Sequence, residues 1–455
     1  MKQNVTIIGA GLVGSMMAIY LGKRGYKVDV FDKLPDIRKE SISAGRSINL
    51  ALANRGIRPM VQLGIIDKVE TLLIPMKGRM LHDVEGELQF QSYGQKPQEV
   101  IYSVSRGGLV SLLRDEAEAT DNVTFHFKQV IDSIDYDKNC INLIDKTEQI
   151  HPHKFDILLG ADGAASIVRN SYENHGVSGV SSELLSHSYK ELTIDEDDNG
   201  PNRYKIDKNS LHIWPRGEYM LIALPNLDGS FTVTLFMPNK GEISFESLTS
   251  KEAVNQFFSD QFSDVLDLIP DLAEMFFENP TGILGTIRCE QWNYKNALLI
   301  GDSAHAIVPF HGQGMNCGFE DCYALNALLD EHNDDWQKVM DSFTEVRVHN
   351  ANAIADMALD NYIEMRDSVR DPKFHLKKAI AFELESRFPK QFVPRYSMVM
   401  FHHISYARAQ SRGEIQFGIL NKLSDGIESV EQLDLVKAEK LVSEKLSVLS
   451  EHDLS

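Results

Sequence analysis

VTIIGAGLVGSMMAIYLGKRGYKVDVFD, running from Val5 to Asp32, decides the fold class of this chain. Val5 to Ile8 are all β-branched, the residue type that strands favour. Gly9-Ala-Gly-Leu-Val-Gly14 then opens a helix whose apolar positions run through Met17, Ala18 and Leu21, and a second strand, Lys27 to Phe31, ends on Asp32. Strand, glycine turn, helix, strand and terminal acid in this order form a dinucleotide-binding fingerprint. Gly9 serves the tight turn, Gly11 the close approach to a pyrophosphate, Gly14 the packing of helix on strand, and Asp32 the ribose hydroxyls. Leu12 and Val13 at the helix start and Lys33 beside the acid complete the expected nucleotide-binding set.

Two later strand ends have the same character. Phe155 to Gly160 runs into Asp162-Gly163, and Ala297 to Ile300 runs into Gly301-Asp302. The second of these crosses a turn-rich segment with Pro309, Gly312 and Gly314 and becomes helix-periodic at Cys317, Ala324 and Leu328. A carboxylate at a strand end accepts hydrogen bonds from polyol hydroxyls, and glycines before a helix N-terminus let backbone N–H groups approach an electron-rich ligand. Three such sites converging on one extended ligand are expected, although Asp162 suits a loop cap equally well.

Between and beyond these sites the pattern changes. Gly45-Arg-Ser-Ile-Asn-Leu-Ala-Leu52 puts Arg46 where it can pair with phosphate or, equally, stand solvated in its loop. Met76 to Tyr102 shows short alternating runs with turns at Asp83–Gly86 and Tyr93-Gly94, an antiparallel excursion. Leu211–Trp214, Tyr219–Leu224 and Phe231–Phe236 predict a further sheet, in which Met220, Ile222 and Leu224 share one face, as do Thr232, Thr234 and Phe236. Such faces are either the roof of a pocket or plain core. Trp336 to Met365 and Phe374 to Glu385 read as helices, and Leu435, Ala438, Val442, Leu446 and Leu449 form a stripe for packing on the body or on a partner subunit. The expected fold class is α/β, a Rossmann-like nucleotide-binding domain interleaved with an antiparallel-sheet domain and followed by a C-terminal helical region.

At 455 residues the chain has room for two or three domains, and 43% apolar residues fit a folded enzyme-sized protein. A formal net charge of -20 repels phosphate backbones and anionic lipid, so nucleic acid and membrane surfaces are not expected partners. Cys140, Cys289, Cys317 and Cys322 show no metal-ligand or redox spacing and read as reduced thiols of a cytoplasmic protein. Neither a cleavable leader nor an apolar run long enough to span a bilayer is evident. Among 15 histidines the only close pair is His151-x-His153 in a polar turn, so no metal is expected.

The three strand-end elements, in this order, resemble the FAD-dependent aromatic hydroxylases, the single-component flavoprotein monooxygenases. Gly9 to Gly14 is similar to their ADP-binding fingerprint, and Gly160-Ala-Asp-Gly163 with Ser166 and Arg169 to their shared FAD and NADPH motif. Gly301-Asp302 with Pro309, Gly312 and Gly314 is similar to their flavin-ribitol motif. Longer stretches extend the resemblance along nearly the whole chain to the branch that hydroxylates L-kynurenine: Lys77-Gly-Arg-Met80, Tyr189-Lys-Glu-Leu192, Leu211-His-Ile-Trp-Pro215, Pro309 to Asn316 and Pro394-Arg-Tyr-Ser-Met398. Eukaryotic members of that branch carry a C-terminal membrane anchor; the charged segment Glu439 to Ser455 departs from them and implies a soluble bacterial-type form, monomer or homodimer. The implied division is a discontinuous FAD-binding domain (1–75, 103–180, 280–340), a substrate-binding sheet domain (76–102, 181–279) and a helical region (341–455).

The resemblance implies that NADPH reduces bound FAD, that O2 adds to give a flavin C4a-hydroperoxide, and that the ring of L-kynurenine is hydroxylated ortho to its amine. An aniline nitrogen already activates the ring, so no side chain is expected as a general base or nucleophile. By the same resemblance Arg79 holds the α-carboxylate bidentately and Tyr93 adds a hydrogen bond, with Asn361 and Tyr396 on the amino-acid part. Met220, Ile222, Phe236, Pro309, Phe310 and Met365 wall the ring, and His311 stands where the flavin edge meets it. On the cofactor side Asp32 is implied at the adenosine ribose, Arg46 and Arg106 at phosphate or ribityl oxygens, and Asp302 at the ribityl and pyrophosphate region. The Met315 and Asn316 backbone N–H groups are implied at the isoalloxazine carbonyl, and Ala51 and Val130 as backbone contacts. Two other readings stay open: a flavin hydroxylase acting on a phenol or an anthranilate, and a non-catalytic binding protein with a flavoprotein fold.

Overall fold

A computed structural model describes residues 2–40, 49–145, 147–177, 179–197, 203–367 and 372–454. The first strand, Asn4–Ile8, lies inside a six-stranded sheet ordered Asn293–Tyr294, Ala297–Leu299, Ile157–Gly160, Asn4–Ile8, Lys27–Asp32, Val123–Phe127. Every pairing is parallel except the edge hairpin of the first two strands. Val5 to Ile8 and the whole of Ile157–Gly160 and Ala297–Leu299 are buried, as befits a parallel sheet covered on both faces. Ile8 stands opposite Gly160, and Gly160 opposite Leu299, so the three motif-bearing strand ends are immediate neighbours.

Two glycines make the fingerprint turn possible. Gly9 has φ +101°, and a Cβ there would stand 2.3 Å from the Ala161 carbonyl oxygen; a Cβ on Gly14 would stand 1.9 Å from the Gly9 carbonyl oxygen. The helix Leu12–Lys23 therefore sits directly on its strand. Arg114, from the helix Arg106–Glu118, donates through Nε and Nη2 to the Ala10 carbonyl at 3.0 and 2.8 Å and fixes the turn from the other side.

The second large sheet has seven strands, ordered Thr281–Cys289, Val180–Ile194, Phe231–Pro238, Met220–Pro225, Ser210–Pro215, Gly78–His82, Leu88–Ser92. The excursion near residue 80 is not antiparallel throughout. Gly78–His82 and Leu88–Ser92 form a hairpin, but Gly78–His82 runs parallel to Ser210–Pro215, with Arg79 opposite Leu211, because a long crossover rather than a turn joins those two. Strand alternation splits this sheet in two. Met220, Ile222 and Leu224 stand opposite Phe236, Thr234 and Thr232 and face a cavity. Leu221, Ala223, Val233 and Leu235 point the other way, into a core with Phe257, Phe258 and Leu272. Those last residues belong to the helices Lys251–Gln261 and Leu272–Glu278, which are not among the elements expected from the sequence.

The C-terminal part is helical: Trp336–Asp367, Pro372–Arg387, Arg395–Met400, Tyr406–Leu423 and Leu435–Lys445. Ala438, Val442 and Leu446 pack with Ile380, Leu384 and Ile419, so the terminal stripe covers the body of the molecule. Leu435 is the exception at 40% exposed. Among the described residues no helix is long and apolar enough to cross a membrane.

Candidate active site

Between the two large sheets lies a cavity of about 500 Å³. Gly11, Leu12, Val13, Ala51, Arg106, Asp302, Gly312, Gly314 and Met315 line one part of it. Met220, Ile222, Phe236, Pro309, Phe310, His311 and Met365 line another, and Arg79, Tyr93 and Tyr396 close the end. A second cavity of about 620 Å³ adjoins it through Arg79, Tyr93, His311 and Tyr396, and Asn361 lines that one. Gly9 and Gly14 lie beneath the turn rather than at the cavity surface. Lys33 and Val130 are exposed and outside the lining, while Arg46 lies outside the described residues.

Whether this space suits FAD is tested by its donors and its room. Two helix N-termini, at Leu12–Lys23 and Gly314–Glu331, open onto the cavity with first-turn N–H groups that have no partner inside the helix. A Cβ on Gly11 would meet nothing within 4 Å, so the backbone there is open to a ligand. Arg106 adds a cation. Asp302 is accessible from the cavity; the surrounding protein raises its carboxyl pKa, with His305 and Arg106 opposing. Asp32 accepts from the Ala10 N–H and the Leu34 N–H, both at 2.8 Å, one on each oxygen, which fixes the carboxylate and leaves each oxygen a further lone pair. Anion-binding turns, a cation and strand-end carboxylates are the set a dinucleotide needs, and the residues fit FAD.

Asp162 and the Asn316 side chain are occupied otherwise. Asp162 accepts from the Ser166 and Ser303 hydroxyls at 2.5 and 3.0 Å and from the Ile167 N–H at 2.7 Å. Asn316 donates to the carbonyls of Ala51 and Gly312 at 2.8 and 2.7 Å and accepts from the Ala53 N–H at 2.9 Å, clamping the loop around Gly312 while leaving its own backbone free.

At the closed end an aromatic cage surrounds Arg79. The Tyr93 and Tyr396 rings stack at 5.6 Å, His311 stacks on Tyr396 at 5.5 Å, and the guanidinium lies 5.2 Å from the Tyr396 ring and 5.8 Å from the Tyr93 ring. Burial opposes the Arg79 charge, but Tyr396, Tyr93 and Glu364 more than offset it and raise its pKa. Arg79 Nε, the Tyr93 hydroxyl and His311 Nδ1 are buried without a hydrogen bond of proper geometry, which natural cores avoid unless a ligand completes them. Burial pushes His311 down to about 3, so its ring is neutral. Asn361 donates to the Phe310 carbonyl at 2.6 Å, and Phe310 stacks on Tyr362 at 4.0 Å, which ties the loop to the helix Trp336–Asp367.

Several contributors carry no assignment from the sequence. Glu364, which lines the adjoining cavity, follows Asn361 by three positions and precedes Met365, so helical spacing alone places it on their side. Tyr189 and Glu191 line the main cavity from one strand face. Beneath the loop, Asp321 accepts from His305 Nε2 at 2.6 Å, the Gly301 N–H at 2.9 Å and Arg347 Nε at 2.7 Å. Arg347 and Arg55 both pair with Glu320, at 2.8 and 2.7 Å, and Arg55 lies on the Tyr406 ring, whose hydroxyl donates to Gln313. His305, Cys317 and Asp321 are the one cluster with metal-ligand proximity among the described residues, and there Asp321 already accepts from three donors, His305 among them.

A family described as an FAD binding domain matches residues 2–358. The chain is 44% identical over 454 residues to the kynurenine 3-monooxygenase of Myxococcus xanthus, covering 99% of this chain and 97% of that one. It is 45% identical over 430 residues to the kynurenine 3-monooxygenase of Flavobacterium johnsoniae, covering 94% and 95%. Among solved structures it resembles Pseudomonas aeruginosa PqsL in complex with 2-aminobenzoylacetate, with a TM-score of 0.66 at 18% identity, covering 81% of this chain and 98% of that one. It also resembles 2-methyl-3-hydroxypyridine-5-carboxylic acid oxygenase, with a TM-score of 0.65 at 17% identity, covering 84% and 98%. These likenesses share the fold, and the near full-length identities go further: the chain belongs to the kynurenine 3-monooxygenase family of FAD-binding proteins.

Proposed function

We propose that this protein is an FAD-dependent monooxygenase that uses NADPH and O2 to hydroxylate L-kynurenine to 3-hydroxykynurenine. One observation carries the substrate: a buried arginine with an unpaired Nε, caged by tyrosines, at the apolar end of a cavity whose other end suits a dinucleotide. An arylalkyl amino acid matches that gradient, its ring against Met220, Ile222, Phe236 and Phe310 and its carboxylate at Arg79.

Bound FAD, once reduced by NADPH, supplies oxygen activated from O2. Gly11, Leu12 and Val13 would hold its phosphates, Arg106 the phosphate or ribityl oxygens, Asp32 the adenosine ribose, Asp302 the ribityl and pyrophosphate region, and the Met315 and Asn316 N–H groups the ring carbonyl. The remaining tasks are orientation and water exclusion. Arg79, Tyr93, Asn361 and Tyr396 fix the amino-acid end, so the ring carbon beside the amine meets the loop at Pro309–His311. His311, neutral at working pH, brings no cation to that edge. No side chain is assigned as a general base, because the aniline activates the ring. Cytoplasmic residence belongs to the same reading, supported by four free and buried cysteines.

Purified protein is expected to be yellow and to oxidise NADPH faster when L-kynurenine is added. Stronger stimulation by a phenol or an anthranilate would favour the related hydroxylase instead, and protein without a flavin spectrum would favour a binding role.

A further inference from the structure

Beside the tyrosine cage the helix Pro372–Arg387 brings in a lysine with little to hold it. Lys378 Nζ lies 3.4 Å from the Ser92 carbonyl, at the long limit of a hydrogen bond, and among the described residues it makes no other. Ser92 immediately precedes Tyr93 and stands opposite Gly78, next to Arg79. Lys378, Arg79, Tyr93 and Tyr396 line one cavity. Of the charged groups around the amine, Arg79 from the sheet repels it and Glu364 from the helix Trp336–Asp367 attracts it. Asp360 and Arg395, with Glu414 from the helix Tyr406–Leu423, the neighbouring Lys377 and the neutral His311, complete the ionisable lining among the described residues. Lys378 beside the orphaned guanidinium nitrogen of Arg79, with Glu364 the acid that acts on both cations, forms an imbalance that a bound carboxylate would relieve.

We propose that Lys378 is a second cation of the α-carboxylate subsite, acting with Arg79 to select amino-acid substrates. The proposal rests on L-kynurenine as the substrate. Burial and Arg79 pull the free amine down to about 8. A carboxylate favours the ammonium form, so Lys378 takes up a proton on binding above that pH. Affinity is therefore full below about 8 and falls as pH rises through it, while Arg79 stays charged.

The test titrates the holoenzyme with L-kynurenine at pH 7 and pH 9.5, reading binding from the change in flavin absorbance. Lys378→Met is expected to weaken binding roughly 10- to 100-fold at pH 7, the range of one charge-assisted hydrogen bond, and to lose most of its difference from wild type at pH 9.5. Lys378→Arg, which keeps the charge, should bind at both pH values, and the decarboxylated analogue of kynurenine should bind Lys378→Met and wild type alike. FAD content, measured on each variant, separates a lost subsite from a lost fold. Wild-type affinity in Lys378→Met at pH 7, or equal weakening of the decarboxylated analogue, overturns the role of the lysine alone. Wild type that binds no kynurenine overturns the substrate reading and this proposal with it.

Discussion

On the proposed reading, Arg79 concentrates the substrate chemistry of the molecule in one side chain. It is 8% exposed, its planar fork lies against two tyrosine rings, and Nε has no partner. Arg79→Ala is expected to weaken L-kynurenine binding by roughly 10- to 100-fold and to leave the decarboxylated analogue almost unaffected. Arg79→Lys should recover only part of the loss, because an ammonium cannot reproduce the two parallel N–H bonds of the fork. Calorimetric titration with both ligands checks this. Residues of this kind are the least legible in a sequence. Nothing in Lys77-Gly-Arg-Met80 distinguishes a binding arginine from a surface one, and the resemblance alone singled it out. Glu364 was readable from its spacing to Asn361 and Met365. Lys378 was not, since only tertiary packing brings its helix to Arg79.

At the scale of elements, the loop Gly301–Asn316 depends on what lies beneath it. Burial works against charge on His305, yet Asp321 holds its pKa well above the usual value. Burial likewise opposes the Asp321 and Glu320 carboxylates, and His305, Arg347 and Arg55 hold them below theirs. The two signs bracket a pH window. The carboxylate contribution to stability is present above about 4 and is lost as pH falls through the lowered folded values. The histidine contribution is full below about 6.5 and declines as pH rises toward the raised folded value. Urea unfolding of the wild type should therefore show stability falling above pH 6.5, by a step that His305→Gln lacks. Asp321→Asn removes the negative charge shared by two buried cations and should cost about 3–5 kcal/mol, measured by the same unfolding at pH 7. Gly14→Ala belongs to this scale too: its Cβ would strike the Gly9 carbonyl, and the purified variant is expected to have lost most of its FAD absorbance. The glycine turn was legible because its spacing is local. The network under the loop was not, because Arg55, Glu320, Asp321 and Arg347 are ordinary charges until helices far apart in the chain bring them together.

On the scale of the whole molecule, the parallel sheet converts three distant motifs into one site. Gly9, Ala161 and Gly301 follow adjacent strands, so the carboxyl edge of that sheet is where an extended ligand can span all three. The alternation of the second sheet makes its other half: Met220, Ile222 and Phe236 face the cavity because Leu221, Val233 and Leu235 are needed in the core behind. Periodicity showed both faces but not which one a helix would cover, since the helices Lys251–Gln261 and Leu272–Glu278 went unread. Because the ligand would span both sheets, added FAD should raise the Tm of the flavin-free protein in a concentration-dependent way, by linkage to the folded state. The hydroxylation itself is measured most directly by mass spectrometry of the product formed from L-kynurenine, NADPH and isotopically labelled dioxygen. The expected product is 3-hydroxykynurenine carrying a single oxygen atom from O2; unchanged kynurenine, or a product whose new oxygen comes from water, would contradict the proposed function.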